Sequence, residues 1–144
     1  MIVLDTNVVS ELMRTEPDAA VLGWVDSQPT DRLFITAITV AELFYGVTRL
    51  ADGRRKREPA GIIEVVVEED FAERVVAFDD VAARHYADIA AGRERAGRPI
   101  SMADAQIAAI CRSHAATVAT RNVGDFVGTG VAVLDPWEPQ PSAK

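Results

Sequence analysis

The sequence predicts an α/β domain with three layers, in which helices cover both faces of a central parallel sheet. Short apolar runs of strand length alternate along the chain with longer segments whose apolar residues recur at helical spacing. Such alternation favours parallel strands joined by helical crossovers. The length of 144 residues suits one domain that can bury a substantial core.

The first half of the chain predicts two strands and three helices. Asn7, Asp18 and Thr39 are candidate caps for these helices, because each side chain can accept a hydrogen bond from a free backbone N–H. The polar stretch 52–59 is rich in turn and charged residues and predicts a loop within the domain. The predicted strands are the apolar runs 2–4 and 33–36.

The second half predicts further helices between short strands. Segment 61–73 has a strand-like composition, yet it is interpreted here as a helix packed against the third one. Asp79 or Asp80 caps a long helix that continues to about residue 95, and Ser101 begins another that continues to His114. The remaining predicted strands are 75–78, 117–120 and 131–134.

The composition excludes several classes of protein. A net charge of −7 argues against tight non-specific binding to nucleic acid, which depends on basic surface. The single cysteine, Cys111, excludes a disulfide framework and a cysteine-built zinc site, and its apolar neighbours predict that it is buried. We find no export signal and no membrane-spanning run, and therefore expect a cytoplasmic protein with a domain over 1–135 and an extended tail over 136–144.

Four acidic residues are the candidate catalytic residues: Asp5, Glu42, Asp104 and Asp125. Asp5 and Asp125 each follow a predicted strand, and we place Glu42 and Asp104 on the first turns of helices. Because ligands of open α/β sheets bind beyond the carboxyl ends of the strands, all four are expected to share one crevice. Clustered carboxylates repel one another unless a cation neutralises them, and Mg²⁺ prefers oxygen ligands. The pattern therefore predicts a magnesium site.

Each acid, taken alone, fits a purely structural role almost as well as a catalytic one. The spacings Thr39-x-x-Glu42 and Ser101-x-x-Asp104 both match a capping box, in which the acid bonds a free helix N–H. A non-catalytic binding module with these acids as helix caps is therefore one alternative. The combination of acids along one predicted edge favours the catalytic interpretation.

The chain resembles the PIN-domain ribonucleases, and more specifically the VapC toxins of bacterial toxin–antitoxin pairs and their FitB-like relatives. No single motif is specific, but the ordered set covers residue 2 to about residue 134. The stretches that carry the resemblance are Ile2-Val3-Leu4-Asp5-Thr6-Asn7, Thr39-x-x-Glu42-Leu43-x-x-Gly46, Ser101-x-x-Asp104-x-x-Ile107-Ala108 and Ala119-Thr120-Arg121-Asn122-x-x-Asp125-Phe126.

The resemblance implies a role for each matching residue. Asp5 and Asp104 would be the principal ligands of Mg²⁺ or Mn²⁺, and Glu42 would complete the acidic cluster directly or through water. Thr6 and Asn7 would help to hold the first acid or a water. Some relatives carry the fourth acid where Asn122 stands here and others three residues later, so the role is assigned to Asp125.

The resemblance also implies an activity and partners. The chain would be a Mg²⁺-dependent endoribonuclease that hydrolyses RNA with a metal-activated water, and the toxin of a toxin–antitoxin pair. A homodimer and a cognate antitoxin that blocks the acidic site are expected, with exposed apolar residues of the early helices as candidate contacts. A DNA-directed nuclease of the same superfamily stays an alternative. A phosphatase with a strand-end aspartate nucleophile is disfavoured, because Asn7 replaces its second aspartate.

Two basic features have open interpretations. Arg54, Arg55, Lys56 and Arg57 form a run that fits a solvated surface better than an RNA contact in so acidic a chain. Arg121 fits two roles equally well, a phosphate contact near the metal or an ion pair with one of the clustered carboxylates.

Overall fold

A parallel sheet forms the middle layer of the molecule. We describe a computed structural model that covers residues 1–50 and 54–141. The strands are β1 (Ile2–Leu4), β2 (Leu33–Thr36), β3 (Val75–Val76), β4 (Thr117–Ala119) and β5 (Ala132–Leu134). They lie in the order β3-β2-β1-β4-β5, and every neighbouring pair is parallel. The central strand β1 therefore has β2 on one side and β4 on the other.

Helices connect the strands and cover the sheet. They are α1 (Thr6–Leu12), α2 (Ala19–Ser27), α3 (Ala37–Thr48), α4 (Arg54–Val65), α5 (Asp80–Arg95) and α6 (Met102–Ser113). A π-helical turn, Val66–Asp70, continues α4, and short 3₁₀ turns occupy Thr30–Arg32 and Val123–Phe126. None of the helices in the described part of the chain is long and apolar enough to cross a membrane.

The two faces of the sheet bury two separate apolar clusters. Successive side chains of a strand point to opposite faces, so Leu4 packs with residues of α1–α4 such as Trp24, while Val3 packs with α5 and α6. Val3 and Leu4 are both fully buried. The predicted three-layer α/β/α architecture is confirmed.

The prediction of a loop over 52–59 is wrong from residue 54 onwards. That stretch belongs to α4, which continues through Pro59. A proline inside a helix removes one backbone hydrogen bond and is unfavourable by about 3 kcal/mol. Burial of Ile63, which is 1% exposed, anchors α4 against the core and offsets part of that penalty. Residues 51–53 lie outside the described residues, as do the side chains of the basic run except exposed Arg57.

The helical interpretation of segment 61–73 is confirmed for most of its length, since α4 and its π-helical turn extend to Asp70. Two predicted caps are wrong. Asp5 rather than Asn7 caps α1, and Thr36 rather than Thr39 caps α3. In both places the strand leads straight into the helix, so the cap is the first residue after the strand or the last residue within it.

Candidate active site

The candidate site lies at the carboxyl ends of β1 and β4, the two adjacent strands at the centre of the sheet. A cavity of about 550 Å³ opens there. Its lining includes three of the four predicted acids and their immediate neighbours, namely Asp5, Thr6, Asn7, Glu42, Asp104 and Asn122. Residues distant in sequence therefore meet at one edge of the sheet, as predicted for ligand sites of open α/β folds.

Asp5 is the most buried of the acids, with 5% of its surface exposed. One carboxylate oxygen, Oδ1, accepts a hydrogen bond from the backbone N–H of Thr6 at 2.8 Å. The other, Oδ2, accepts from the hydroxyl of Thr120 at 2.8 Å and from the amide of Asn7 at 3.3 Å. These donors orient the carboxylate but do not remove its charge.

The electrostatic environment of Asp5 disfavours a negative charge. Burial raises the pKa of Asp5 from 3.8 to about 6, against the lowering effect of the Thr120 and Thr6 hydrogen bonds. The negative charges of Asp104 and Glu42 add smaller increases to the pKa of Asp5. A cation placed among them would relieve both the desolvation and the repulsion.

Glu42 does not have the capping role that its spacing suggested. It lies in the second turn of α3, and the helix is capped by Thr36, whose hydroxyl accepts from the N–H of Thr39 at 3.1 Å. The placement of Glu42 on a first turn is therefore wrong, because α3 begins two residues before Thr39. The carboxylate instead accepts a hydrogen bond at 2.9 Å from the hydroxyl of Thr6, the residue after Asp5.

Asp104 lies in the first turn of α6, as predicted. The helix is capped by Ser101, whose hydroxyl accepts from the backbone N–H of Asp104 at 3.2 Å. Among the described residues the Ser101 N–H does not donate a return bond to the Asp104 carboxylate, so the carboxylate is available to the cavity. Burial raises the pKa of Asp104, and the nearby charge of Asp125 raises it further.

The fourth position is divided between Asn122 and Asp125. Asn122 lines the cavity with its neighbours, and its backbone N–H donates to the Thr120 hydroxyl at 3.0 Å. Asp125 is exposed on the 3₁₀ turn Val123–Phe126, and its charge raises the pKa of Asp104. The structure thus places an amide at the cavity wall and the fourth carboxylate on the following turn, outside the residues that line the cavity.

Sequence reasoning missed two residues that shape this site. Thr120 is fully buried and bonds both Asp5 and Asn7, but a threonine at a strand end carries no catalytic signature. Arg93 of α5 is also buried and donates to the backbone carbonyls of Asp125 at 3.0 Å and Val127 at 2.6 Å. The sequence pattern of α5 does not mark Arg93 as buried, so its role is visible only in the folded structure.

A comparison with known families identifies the architecture. The family model that describes the PIN domain matches residues 2–126 of this chain. The chain belongs to the PIN-domain family. The matched stretch contains all four candidate acids, and PIN domains are metal-dependent nucleases. The prediction that the chain is a metal-dependent nuclease is therefore confirmed.

Relatives and solved structures place this PIN domain among the VapC and FitB toxins. The chain is 45% identical to VapC ribonuclease Y4jK of Sinorhizobium fredii, over 96% of this chain and 99% of the relative. It is 42% identical to toxin FitB of Neisseria gonorrhoeae, over 95% and 99% of the two chains. A structure of FitAB bound to the IR36 DNA fragment matches with a TM-score of 0.90 and 39% identity, covering 99% of this chain and 100% of that one.

The donor set of this PIN domain suits a hard divalent cation that keeps most of its water. Within the described residues no group of three or more His, Cys, Asp or Glu side chains is placed to hold a metal ion as a cage. Magnesium is usually held by only one or two carboxylates together with water molecules, so such a cage is not required. A buried carboxylate whose pKa is raised to about 6, next to a second with a raised pKa, is the arrangement that a cation stabilises.

Proposed function

We propose that this protein is a Mg²⁺-dependent endoribonuclease and the toxin of a toxin–antitoxin pair. One observation supports the proposal most strongly. The buried carboxylate of Asp5, at the end of the central strand, shares a cavity with Asp104 and Glu42 and is oriented by three hydrogen bonds. A carboxylate so buried is unfavourable unless a cation accompanies it.

Asp5 and Asp104 are the proposed ligands of Mg²⁺, for which Mn²⁺ can substitute. When bound, the cation neutralises charge on the attacked phosphate and lowers the pKa of a bound water. The protein's part is to hold its carboxylates rigidly. Asp5 is fixed by Thr6 and Thr120, and Asp104 is fixed at the start of α6.

Glu42 and Asp125 complete the proposed set of acids. Glu42 is exposed to the cavity and tied to Thr6, so it is placed to orient an attacking water and to accept its proton. Asp125 contributes negative charge beside Asp104 and strengthens the attraction for a cation there. Asn122 lines the wall as a neutral hydrogen-bonding group.

The substrate and partners are inferred from the relatives. The name of the Sinorhizobium relative is that of a ribonuclease, which favours RNA over DNA as the substrate of this chain. The FitAB structure favours a complex with a cognate antitoxin, and a homodimer is also proposed. Leu22, Tyr45 and Leu50 are exposed apolar residues of α2, of α3 and of the chain after α3, and they are candidate contacts for these partners. We assign the nuclease domain to residues 1–135 and the tail to 136–144, of which Trp137 packs back against the domain.

A cleavage assay with matched variants tests the proposal. Purified protein is incubated with single-stranded RNA and with DNA of the same sequence, in Mg²⁺, in Mn²⁺ and in EDTA. We expect cleavage of RNA only with metal, and a loss of at least 100-fold in Asp5→Asn and in Asp104→Asn, on the scale of a lost catalytic electrostatic contact. Asp26→Asn, an exposed acid of α2, is the control and should cleave normally.

Three results would contradict the proposal in different ways. RNA cleavage that persists in EDTA would exclude the metal mechanism. Full activity in Asp5→Asn or in Asp104→Asn would exclude the ligand assignment. Cleavage of DNA at the rate of RNA would favour the DNA-directed alternative.

A further inference from the structure

An arginine and a tryptophan line the same cavity as the acids. The guanidinium carbon of Arg121 lies 5.1 Å from the centroid of the Trp137 ring, a distance at which a cation is attracted to the ring face. Arg121 follows β4 and Trp137 follows β5, so the pair closes the cavity from the carboxyl ends of two adjacent strands. Trp137 lies beyond residues 2–126, the stretch that the family model matches.

Both residues are held in place by their backbones. The N–H of Arg121 donates to the side-chain oxygen of Asn7 at 3.2 Å, and Asn7 also bonds Asp5. The N–H of Trp137 donates to the Asp135 carboxylate at 2.9 Å, and its half-buried ring packs against the apolar cluster under α1–α4. The backbone of Arg121 is therefore held, through Asn7, next to the carboxylate of Asp5, and its exposed guanidinium lies over a ring that packs on the core.

The two basic residues of the cavity lining differ in how their charges are paired. The lining contains acids and two basic residues, Arg14 and Arg121. Arg14 is paired with Glu11, at 3.2 Å to its carboxylate. Arg121 forms no ion pair with any carboxylate in the described part of the chain, although acids surround the cavity. The expected alternative of an ion pair between Arg121 and the clustered carboxylates is thus not what the structure shows.

A guanidinium that lies on an aromatic ring keeps its N–H groups free. These donors point outward in the guanidinium plane, in the fork that matches phosphate oxygens. RNA that approaches an acidic cavity on a chain of net charge −7 needs positive charge near the site. We propose that Arg121, supported by Trp137, binds a backbone phosphate of the RNA next to the one that is cleaved. The proposal rests on the proposed RNA cleavage and adds a phosphate subsite to it.

Trp137 is a positioning residue in this proposal. Its ring holds the guanidinium toward the cavity, and Arg121 alone contacts the substrate. Loss of the ring should therefore weaken binding without removing the charge, whereas loss of the guanidinium should remove one phosphate contact.

The salt dependence of RNA binding distinguishes these roles. Fluorescence anisotropy is recorded with a labelled single-stranded RNA at several salt concentrations in Mg²⁺, with full-length Asp104→Asn protein as the uncleaving background. Adding Arg121→Gln should weaken binding by about tenfold, as expected for a lost hydrogen bond between charged groups. It should also reduce the slope of log K against log salt by about 0.7, the value for one phosphate contact on a single strand.

Companion variants complete the test. Trp137→Leu should weaken binding with little change in slope, and Trp137→Phe should restore most of the affinity because a ring face is retained. Arg84→Gln, which removes an exposed arginine of α5 outside the cavity lining, is the charge-matched control and should leave affinity and slope unchanged.

The outcomes separate the two proposals. An unchanged slope in Arg121→Gln, a Trp137→Phe variant as weak as Trp137→Leu, or an absence of RNA binding by the background protein would overturn the phosphate subsite. Failure of the wild-type protein to cleave RNA, measured separately on gels, would overturn the proposed function.

Discussion

The hydroxyl of Thr120 donates a hydrogen bond of 2.8 Å to the carboxylate of Asp5, 115 positions away in the sequence. Both groups are buried, and the bond opposes the increase in the pKa of Asp5 that burial causes. Thr120 also accepts from Asn7 and from the backbone N–H of Asn122. One hydroxyl therefore connects the first acid to the loop that carries the fourth.

Replacing Thr120 with valine should raise the pKa of Asp5 above its value of about 6, because a donor to the ionised form is lost. The unsatisfied partners should also lower stability by about 1–3 kcal/mol. Carboxyl NMR titration of the metal-free protein measures the pKa, and urea unfolding measures the stability. Thr117→Val, at the half-buried start of β4, is the control. An unchanged pKa of Asp5 would show that the hydroxyl does not influence its charge.

The metal-free protein should lose stability as the pH rises from about 4 to above 6. The folded-state pKa of Asp5, about 6, lies above its ordinary value of 3.8, so the native state keeps a proton that the unfolded chain releases in this range. The full effect of this group is at most roughly 3 kcal/mol. Urea unfolding in EDTA at several pH values, for wild type and for Asp5→Asn, measures it. A wild-type pH dependence no steeper than that of the variant would contradict the prediction.

The substitution Glu42→Gln should reduce RNA cleavage strongly and leave stability nearly unchanged. Glu42 is exposed and does not cap α3, so we expect a change in the free energy of unfolding within about 0.5 kcal/mol. Activity should fall at least 100-fold if the carboxylate accepts the proton of the attacking water. Thermal unfolding and single-turnover cleavage are compared for this variant and for Glu64→Gln, an exposed acid of α4. A large loss of stability would restore a structural role for Glu42.

Arg93→Met should destabilise the protein by roughly 2–4 kcal/mol. The buried guanidinium bonds the backbone carbonyls of Arg98, Asp125 and Val127, and its loss leaves these carbonyls without a charged donor. The turn that carries Asp125 should then move away from Asp104, and the concentration of Mg²⁺ needed for half-maximal activity should increase. Arg93→Lys should recover part of the stability. Unchanged stability in Arg93→Met would contradict this account.

The thiol of Cys111 should be inert in the folded protein. It is fully buried in α6, and burial together with the charge of Asp5 raises its pKa to about 12. Since the thiolate is the reactive form, a chromogenic disulfide reagent should label it only in denaturant. Rapid labelling at neutral pH without denaturant would show that α6 opens readily.

The sequence predicted the layers of the fold and the position of Asp5 after a buried strand because both follow from local patterns. Apolar runs such as Ile2-Val3-Leu4 mark buried strands, and Ser101 and Asp79 cap their helices as short polar residues generally do. The same local rules failed at α3 and α4. The Thr39-x-x-Glu42 spacing imitates a cap inside a helix, and the charged stretch before Pro59 belongs to a helix that packs on the core further along, through Ile63.

The meeting of Asp5, Glu42 and Asp104 at one cavity was predictable, because Asp5 follows a strand and the other two acids lie in the first or second turn of a helix. The residues that hold these acids in place were not predictable from the sequence. Thr120 and Arg93 act through backbone and hydroxyl contacts that depend on strand β4 lying beside β1 and on α5 lying beside the loop after β4. Trp137 lies in a proline-rich segment that the sequence predicts to be a tail. Its position at the cavity is seen only in the structure, through its contact with Arg121.

The position of β1 at the centre of the sheet determines when the protein can first act during its synthesis. Asp5 is synthesised 115 positions before Thr120, so its strand has a partner on both sides, and its carboxylate has the Thr120 hydroxyl, only after β4 has been made. A nascent or prematurely terminated chain that lacks residues beyond 116 therefore contains three of the four acids but not the strand that positions Asp5. The acidic site can therefore assemble only after β4 has been synthesised.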